Sequence, residues 1–188
     1  MSRAGRPKGA EAKLDRETIE IAALALLDQG QAAFSMRALG AALSVTPMAL
    51  YHHVGGREAL IGTLADRVLE DVTAGEGSAS ERVAGLLQAY CRAVVAHPAL
   101  FLMLFDTPAA FEGGPQRVTA ELDTLLAEAM GAAFTTRVRD ILIDYTHGYG
   151  FAVAVNGTER EAALTEYSAA LALLLEAFLP SGGTPARR

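Results

Sequence analysis

The stretch FSMRALGAALSVTPMALYHHVGGREAL, residues 34–60, decides the fold. It contains two helix starts that lie eleven residues apart, at Ser35 and Thr46. Ser35 is expected to cap the first helix, and Thr46, followed by Pro47 at the first helical position, is expected to cap the second. This spacing leaves room for only about two turns of helix and a bend. The pattern therefore predicts two short helices joined by a tight turn, which is the layout of a helix-turn-helix DNA reader.

Hydrophobic residues flank both predicted caps in the positions of a hydrophobic staple. Phe34 and Leu39 flank the first cap, and Val45 and Leu50 flank the second. Four apolar side chains are expected to point inward and hold the two helices at an angle: Leu39, Leu43, Leu50 and Val54. The outward face of the second helix then offers five residues to a major groove: Pro47, Met48, Ala49, Tyr51 and His52.

The N-terminal part of the chain resembles the DNA-binding domain of the TetR family of bacterial transcriptional repressors. The resemblance covers about the first 60 residues and is carried by LDRETIEIAALALLDQG (14–30) and ALYHHVGGREALI (49–61), where capping, spacing and an aromatic–histidine pair occur together. It implies an all-α protein. An N-terminal three-helix helix-turn-helix DNA-binding domain would be followed by a helical C-terminal domain for ligand binding and dimerisation.

The resemblance also implies individual DNA contacts. Arg37 would reach a base edge or a phosphate, and Tyr51, His53 and Arg57 would hold phosphates. Pro47, Met48 and Ala49 would make apolar or backbone contacts to bases, while His52 occupies a position where the family usually has an aromatic residue. With the two capping residues included, the candidate DNA-binding residues are Ser35, Arg37, Thr46, Pro47, Met48, Ala49, Tyr51, His52, His53 and Arg57.

Charge is distributed unevenly along the chain, whose formal net charge is −6. Residues 1–60 hold seven Lys and Arg against six Asp and Glu, whereas residues 61–188 hold nine against sixteen. Positive charge therefore lies near the predicted reader, and the acidic remainder would face away from DNA. The small, basic residues 1–13 are predicted to form a flexible arm that contacts phosphates or a minor groove, or else a solubilising tail.

Composition favours a helical protein of the cytoplasm without a membrane partner. The chain is 51% hydrophobic, with seven prolines and no tryptophan. Its single cysteine, Cys91, cannot form an internal disulfide, which fits a reducing compartment. The N-terminus is polar and basic, unlike a signal peptide, and no apolar run approaches the roughly 20 residues that span a bilayer.

Catalytic and metal-binding patterns are not apparent in the sequence. There is no Gly-rich phosphate loop, no Cys/His metal spacing and no Ser-His-Asp arrangement in a helical context. His52 and His53 are adjacent, and neighbours on a helix point about 100° apart, so they make a poor joint metal site. We therefore predict that the protein is not an enzyme and has no catalytic residues, no metal and no cofactor.

The helical pattern continues to residue 179. A connecting helix is predicted from Arg57 to about Thr73, the GEGS segment (75–78) is a boundary loop, and Thr158 and Glu161 are spaced as a capping box. Further helices are expected at about 80–97, 99–105, 116–130, 136–155 and 159–179, with a loop at 106–115. We divide the chain into a flexible basic arm (1–13), a helix-turn-helix domain (14–60), an effector-binding and dimerisation domain (61–179) and a disordered tail (180–188).

The last two predicted helices are apolar on more than one face. The residues concerned are Ile141, Leu142, Ile143, Tyr145, Leu164, Leu171, Leu173, Leu174, Leu175 and Phe178. A helix that is hydrophobic on two faces must bury both, which predicts a homodimer unless one chain covers both faces. The resemblance implies a four-helix bundle across a two-fold axis. Such a dimer places two readers about 34–36 Å apart, so the DNA operator should be palindromic.

The resemblance further implies a small-molecule pocket in the C-terminal domain. A mostly apolar cavity with a few polar groups suits such a ligand. The candidate ligand-binding residues are Tyr90, His97, Phe101, Phe105, Phe134, Tyr145 and His147. The resemblance would imply a metal-assisting carboxylate about eight residues beyond His147, but Val155 stands there, so we expect a hydrophobic effector without a metal. An alternative is an effector-independent helix-turn-helix protein whose C-terminal domain only dimerises.

Overall fold

A computed structural model describes residues 14–179, and all regular secondary structure in that range is helical. Three 3-10 helices lie at Gln31–Ala33, Pro108–Phe111 and Gly131–Ala133. The α-helices of the described range are α1 (Arg16–Leu27), α2 (Met36–Ala42), α3 (Pro47–Val54), α4 (Arg57–Leu69), α5 (Ala79–Ala96), α6 (Pro98–Phe105), α7 (Gly114–Met130), α8 (Thr136–Asn156) and α9 (Arg160–Phe178). The predicted all-α fold class is confirmed. The arm (1–13) and the tail (180–188) lie outside the described residues.

The first three α-helices begin at capping residues, and the sequence analysis predicts two of them, Ser35 and Thr46. The Asp15 carboxylate accepts a hydrogen bond from the Thr18 N–H at 2.8 Å. The Ser35 hydroxyl accepts from the Ala38 N–H at 3.0 Å, and the Thr46 hydroxyl accepts from the Ala49 N–H at 3.2 Å. Each cap satisfies an N–H that has no partner inside its helix. The caps predicted at Ser35 and Thr46 are therefore confirmed.

The bend between α2 and α3 is tight because the backbones approach closely. A Cβ atom at Gly40 would lie 2.9 Å from the Val45 carbonyl oxygen, so a larger residue does not fit there. Leu39, Leu50 and Val54 are buried beneath this contact, whereas Leu43 is only half-buried. Gly55 ends α3 with a φ of +73°, a conformation that favours glycine.

Helix α4 connects the N-terminal helices to the rest of the chain. It ends at Leu69, before the predicted Thr73, and it continues without a break through residue 60. It packs on α1 and α3, and it also packs on α6, α7 and the Pro108–Phe111 turn. A displacement of α4 would therefore move both the N-terminal helices and the helices that follow it. The domain division at residue 60 stays a prediction.

Helix α5 forms the centre of the second part and packs against α7, α8 and α9. It is started by a capping box in which Ser78 and Glu81 bond each other's backbone N–H. Its contact with α8 is close, since a Cβ atom at Gly150 would lie 2.5 Å from Val94 Cγ1. The buried side chains of α5 thus hold the bundle together.

Two details of the predicted helix starts are wrong. The 106–115 segment is not all loop, because it contains the Pro108–Phe111 turn and α7 already begins at Gly114. Helix α9 is capped by Glu159 rather than Thr158. The Glu159 carboxylate accepts from the N–H groups of Glu161 at 3.0 Å and Ala162 at 2.8 Å, so one longer side chain satisfies two donors.

Within residues 14–179 no single helix has both the length and the apolar composition to cross a membrane. Helices α5 and α6 meet the length and composition criteria only when they are counted as one segment, and a bend of 98° separates them.

Candidate functional site

The surface of α3 carries most of the predicted DNA-binding residues in exposed positions. Met48 is 66% exposed and Tyr51 is 43% exposed, although both are large hydrophobic or aromatic side chains. Pro47, His52 and His53 are also exposed, whereas Ala49 is half-buried against the helix pair below. Large apolar side chains that are exposed next to one another are characteristic of a surface that contacts a partner.

Basic side chains border the α3 surface on the neighbouring helices. Arg37 on α2 and Arg57 at the start of α4 are both exposed. The Arg57 guanidinium carbon lies 6.0 Å from the centroid of the Phe34 ring, which is within range of a cation–π interaction. This interaction restrains the arginine side chain. Ser35 and Thr46 are exposed as well, and their hydroxyls are engaged as helix caps. Hydroxyl, imidazole and guanidinium groups on one surface suit phosphate oxygens.

An ion-pair network that the sequence analysis missed fixes α1 to α4. Glu20 is buried. One of its carboxylate oxygens accepts a hydrogen bond from Arg16 Nε at 3.1 Å, and the other accepts one from Arg67 Nη1 at 3.2 Å. Arg16 also donates to the Thr63 hydroxyl at 2.6 Å. The i,i+4 spacing of Arg16 and Glu20 is visible in the sequence, but the link to α4 is not.

A second unpredicted set of contacts joins α7 to α4 and the segment after it. The Gly114 N–H donates to Asp66 Oδ1 at 2.6 Å, and a Cβ atom at Gly113 would collide with that same oxygen. Arg117 donates to the carbonyl oxygens of Leu69 and Val72. The Glu121 carboxylate accepts from the Ala74 N–H at 2.9 Å. One face of α7 thus holds α4 and the segment after it at three successive turns.

Four of the predicted ligand-binding residues form an aromatic cluster at the junction of α5, α6 and α8. Tyr90 Oη lies 2.7 Å from His147 Nε2, within hydrogen-bond distance. The rings of Phe101 and Phe105 pack around this pair, with centroids 5.6 Å from Tyr90 and 5.3 Å from His147 respectively. Phe151, which was not predicted, stacks on His147 with an interplanar angle of 9°.

Burial keeps both members of the Tyr90–His147 pair neutral. It lowers the pKa of His147 below its usual 6.5, and the nearby Asp144 carboxylate opposes this only in part. Burial also raises the pKa of the Tyr90 phenol. Near pH 7 the pair therefore carries no net charge, and one member donates to the other in their shared hydrogen bond.

An enclosed cavity of about 100 Å³ lies beside this pair, between α5, α7, α8 and the Pro108–Phe111 turn. Tyr90 and His147 supply its main polar groups, and Thr119 adds a hydroxyl that donates to the Pro115 carbonyl at 2.9 Å. All the lining side chains are uncharged: Leu86, Leu87, Tyr90, Phe111, Pro115, Val118, Thr119, Leu122, Ile143 and His147. The cavity suits an apolar ligand with one polar group.

The other predicted ligand-binding residues lie elsewhere. His97 Nδ1 lies 3.0 Å from Asp28 Oδ1, where the end of α1 meets the α5–α6 junction. Tyr145 stacks on Tyr167, with the ring centroids 5.7 Å apart. Tyr145 precedes His147 by two positions, so its side chain points about 200° around α8 from that of His147 and away from the cavity. Phe134 is half-buried beyond the end of α7. The seven predicted residues therefore do not line one cavity.

The outer faces of α8 and α9 combine exposed apolar side chains with small residues. Val155 is 85% exposed and Leu173 is 69% exposed, and Ile141 is exposed as well. Gly148 and other exposed small residues lie between them: Ala152, Ala162, Ala169 and Ala172. Leu142, Leu171 and Leu175 are instead buried within the chain. The exposed apolar face is therefore narrower than the sequence predicted.

No group of three or more His, Cys, Asp or Glu residues within the described range is arranged to hold a metal ion.

Comparison with known proteins relates this architecture to transcriptional regulators. No family model matches the chain. The HTH-type transcriptional regulator Rv1816 of Mycobacterium tuberculosis is 27% identical over 138 residues, and the alignment covers 68% of this chain. The chain spans 58% of the length of this curated relative.

Two solved structures have the same fold. A crystal structure of BioQ with its natural double-stranded DNA operator superposes with a TM-score of 0.69 and 21% identity, covering 90% of this chain and 100% of BioQ. The TetR family protein ActR of Streptomyces coelicolor, in complex with (S)-DNPA, gives a TM-score of 0.58 and 26% identity, covering 75% of this chain and 72% of ActR. The resemblance to the TetR family is thus confirmed, and the chain shares that family's fold.

Proposed function

We propose that this chain, which has the fold of the TetR family, is a transcriptional regulator, acting as a repressor, that binds a palindromic DNA operator as a homodimer. A small, largely hydrophobic effector releases it from DNA. The observation that carries the proposal is the exposed surface of α3, where Met48 and Tyr51 stand in solvent on a helix whose start is fixed by the Thr46 cap.

DNA recognition divides between bases and phosphates. Helix α3 enters the major groove, where Met48 is placed for an apolar contact such as a thymine methyl group. Tyr51, His53 and Arg57 hold phosphates on the flanks and set the register of α3 without reading sequence. The Glu20 network supports this geometry, because it fixes α1 and α4 behind the reader. The likeness to BioQ, which was crystallised with its natural DNA operator, supports the same function.

Dimerisation uses the outer faces of α8 and α9. The exposed Val155 and Leu173 side chains gain from burial against a second copy. The small residues around Gly148 let two helices approach closely. A two-fold interface of this kind is self-complementary and presents two α3 helices to one side of the duplex.

The effector acts through α7, which has two different faces. Pro115, Val118 and Leu122 line the enclosed cavity, while Gly114 and Arg117 on the other face hold α4. A ligand that enlarges the cavity displaces α7 and with it α4. The effector can shift the population of DNA-competent dimers only by its difference in affinity between the two states. To change the ratio of DNA-competent to DNA-incompetent dimers from 99:1 to 1:99, the effector must bind the second state more favourably by about 5.5 kcal/mol.

A second candidate is an effector-independent DNA-binding protein whose C-terminal part only dimerises. The small volume of the enclosed cavity, about 100 Å³, favours this alternative because few compounds fit such a space. The two functions differ in one measurable respect, which is the release of operator DNA by a compound.

Selection of bound sequences from random duplexes tests the proposed function. The full chain should enrich an inverted repeat whose half-sites are one helical turn apart, about 34–36 Å centre to centre. A double variant, Tyr51→Ala with Arg57→Ala, is the matched control and should enrich nothing. A compound screen against the best operator then separates the two candidates. A chain that stays monomeric and ignores inverted repeats at low ionic strength contradicts the proposal.

A further inference from the structure

The enclosed cavity beside Tyr90 and His147 is of a size that accepts one small ring. Its volume is about 100 Å³. An apolar cavity of about 150 Å³ in another protein binds benzene, so a single six-membered ring is the largest rigid group that a space of this scale accepts. Fused rings and long chains would require α7 and α8 to separate. The volume therefore restricts the ligand to a monocyclic compound.

The lining of the cavity selects an uncharged aromatic compound. None of the described residues that line it carries a charge. A carboxylate or an ammonium group enclosed there would lose its hydration without gaining an opposite charge, which is strongly unfavourable. Tyr90, Phe111 and His147 contribute rings to the lining, and contacts between aromatic rings are more favourable than burial of the same area alone. A neutral aromatic ring therefore suits this cavity.

The Tyr90–His147 pair supplies one polar contact for such a ring. Tyr90 Oη lies 2.7 Å from His147 Nε2, and within the described residues His147 is its only hydrogen-bond partner. The tyrosine oxygen therefore keeps either a free acceptor position or its own O–H for a third group, depending on which member of the pair donates. A ligand hydroxyl can donate and accept, so it fits both arrangements. The Thr119 hydroxyl, in contrast, already donates to the Pro115 carbonyl at 2.9 Å.

We propose that the enclosed cavity binds a neutral monocyclic phenol: the ring packs against Val118, Leu122 and Ile143, and the hydroxyl completes the hydrogen bonding of Tyr90. The three apolar side chains and the tyrosine all line the cavity. The inference rests on the proposed function in that it specifies the chemical class of its effector.

Phe111 separates the cavity from solvent. It is 44% exposed, whereas the other lining side chains are buried or half-buried. Its ring centroid lies 6.5 Å from that of Phe105, which is exposed as well. Displacement of the Phe111 ring is therefore the shortest route by which a ligand reaches the cavity. Once the ring returns, the bound phenol is shielded from water, which strengthens its hydrogen bond to Tyr90.

Three compounds of similar size test this assignment on the full chain: phenol, toluene and cyclohexylamine, each a six-membered ring with one substituent. We expect calorimetric titration at pH 7 to show binding of phenol and toluene and no binding of cyclohexylamine, which is an ammonium ion at this pH. The Kd of phenol should be no higher than that of toluene, because the hydrogen bond to Tyr90 offsets the loss of hydration of the hydroxyl. Tighter binding of toluene than of phenol, binding of cyclohexylamine as tight as that of phenol, or no binding of any of the three overturns the proposal.

Variants separate the polar contact from the shape of the cavity. Tyr90→Phe should raise the Kd of phenol by about tenfold, because the ligand hydroxyl is then buried without a partner, and should leave the Kd of toluene unchanged. Unchanged toluene binding also shows that this variant folds with its cavity intact. A Tyr90→Phe variant that binds phenol as tightly as the native chain contradicts the assignment of the hydroxyl.

Filling the cavity should remove both ligands. Ile143→Phe places a ring where the ligand ring would lie and should abolish binding of phenol and toluene. Val118→Ile adds one methyl group to the buried wall, is the milder change and should raise both Kd values. Ala127→Phe adds the same ring at an exposed position of α7 and should change neither. Binding that is unaffected by both Ile143→Phe and Val118→Ile refutes the site.

The titration contains no DNA, so its failure is distinguishable from failure of the proposed function. A chain that selects an inverted repeat but does not bind phenol overturns this inference and leaves the regulatory function in place. A chain that binds phenol and selects no operator keeps the site and loses the regulatory function.

Discussion

Asp66 in α4 caps α7, because its Oδ1 atom accepts a hydrogen bond from the Gly114 N–H at 2.6 Å. The residue before α7 is Gly113, which has no side chain with which to cap the helix. A carboxylate at a helix N-terminus also interacts favourably with the helix dipole. The helix that lines the cavity is therefore held at its start by the helix that supports the DNA reader.

Removing this cap should lower the stability of the fold and weaken the coupling between the cavity at α7 and the DNA reader behind which α4 lies. Asp66→Ala is expected to lower the free energy of unfolding by about 1–2 kcal/mol, the range for loss of a capping or charge-assisted hydrogen bond. The concentration of effector needed to release operator DNA should rise, because α7 no longer moves α4 directly. Urea denaturation and operator-release titration measure the two effects. Asp71→Ala, an exposed acidic position just beyond α4, is the control and should stay within about 0.5 kcal/mol of the native protein.

The two exposed residues of α3 should have separable roles in DNA binding. Tyr51→Ala is expected to weaken binding to every duplex and to reduce the slope of log K against log salt, because it removes a phosphate contact. Met48→Lys is expected to change which operator is preferred, because it alters a base contact. Binding isotherms at several salt concentrations, on the selected operator and on its single-base variants, measure both. A tyrosine variant with altered base preference and an unchanged salt slope would contradict the assignment.

A charge on the outer face of α9 should break the dimer. Leu173→Glu places a carboxylate where the proposed interface is apolar, and burying it there without a partner is costly. We expect the solution mass to fall from that of two chains to that of one, and operator affinity to fall with it. Analytical ultracentrifugation measures the mass. Thr124→Glu on the exposed side of α7 is the matched control, and an unchanged mass in the Leu173 variant would exclude this face.

Stability should fall on mild acidification because of His147. Burial lowers the pKa of His147 in the folded protein, so the unfolded chain binds the proton more readily. The stability from neutral His147 is present above the unfolded pKa of about 6.5 and is lost as pH falls through the lower folded value. Free energies of unfolding measured between pH 7.5 and 5.5 should show this loss. His147→Gln should flatten the profile, whereas His52→Gln, at an exposed position, should leave it as in the native protein.

The local structure of the reader could be predicted because each decisive contact spans three residues. Ser35 reaches Ala38 and Thr46 reaches Ala49, so the cap and its partner lie in one short stretch of chain. Where two capping residues compete, as Thr158 and Glu159 do before α9, the sequence does not decide between them. The side-chain geometry in the folded chain selects Glu159.

The candidate ligand site could be predicted only in its composition. Tyr90 and His147 are separated by 57 residues, and nothing in the spacing of aromatic residues indicates that their polar atoms meet. His97 has the same residue type as His147, yet it pairs with Asp28 near the end of α1. Which histidine borders the cavity depends on how α5 and α8 pack.

The sequence by itself determined the helical class, the two helix starts of the reader and the excess of apolar surface at the C-terminal end, because capping and periodicity act over a few residues. Only the tertiary structure decided that Asp66 holds the start of α7, that Arg117 binds the end of α4, and that one face of α7 borders a cavity. These contacts join residues far apart in the chain, and they exist only once the helices have packed.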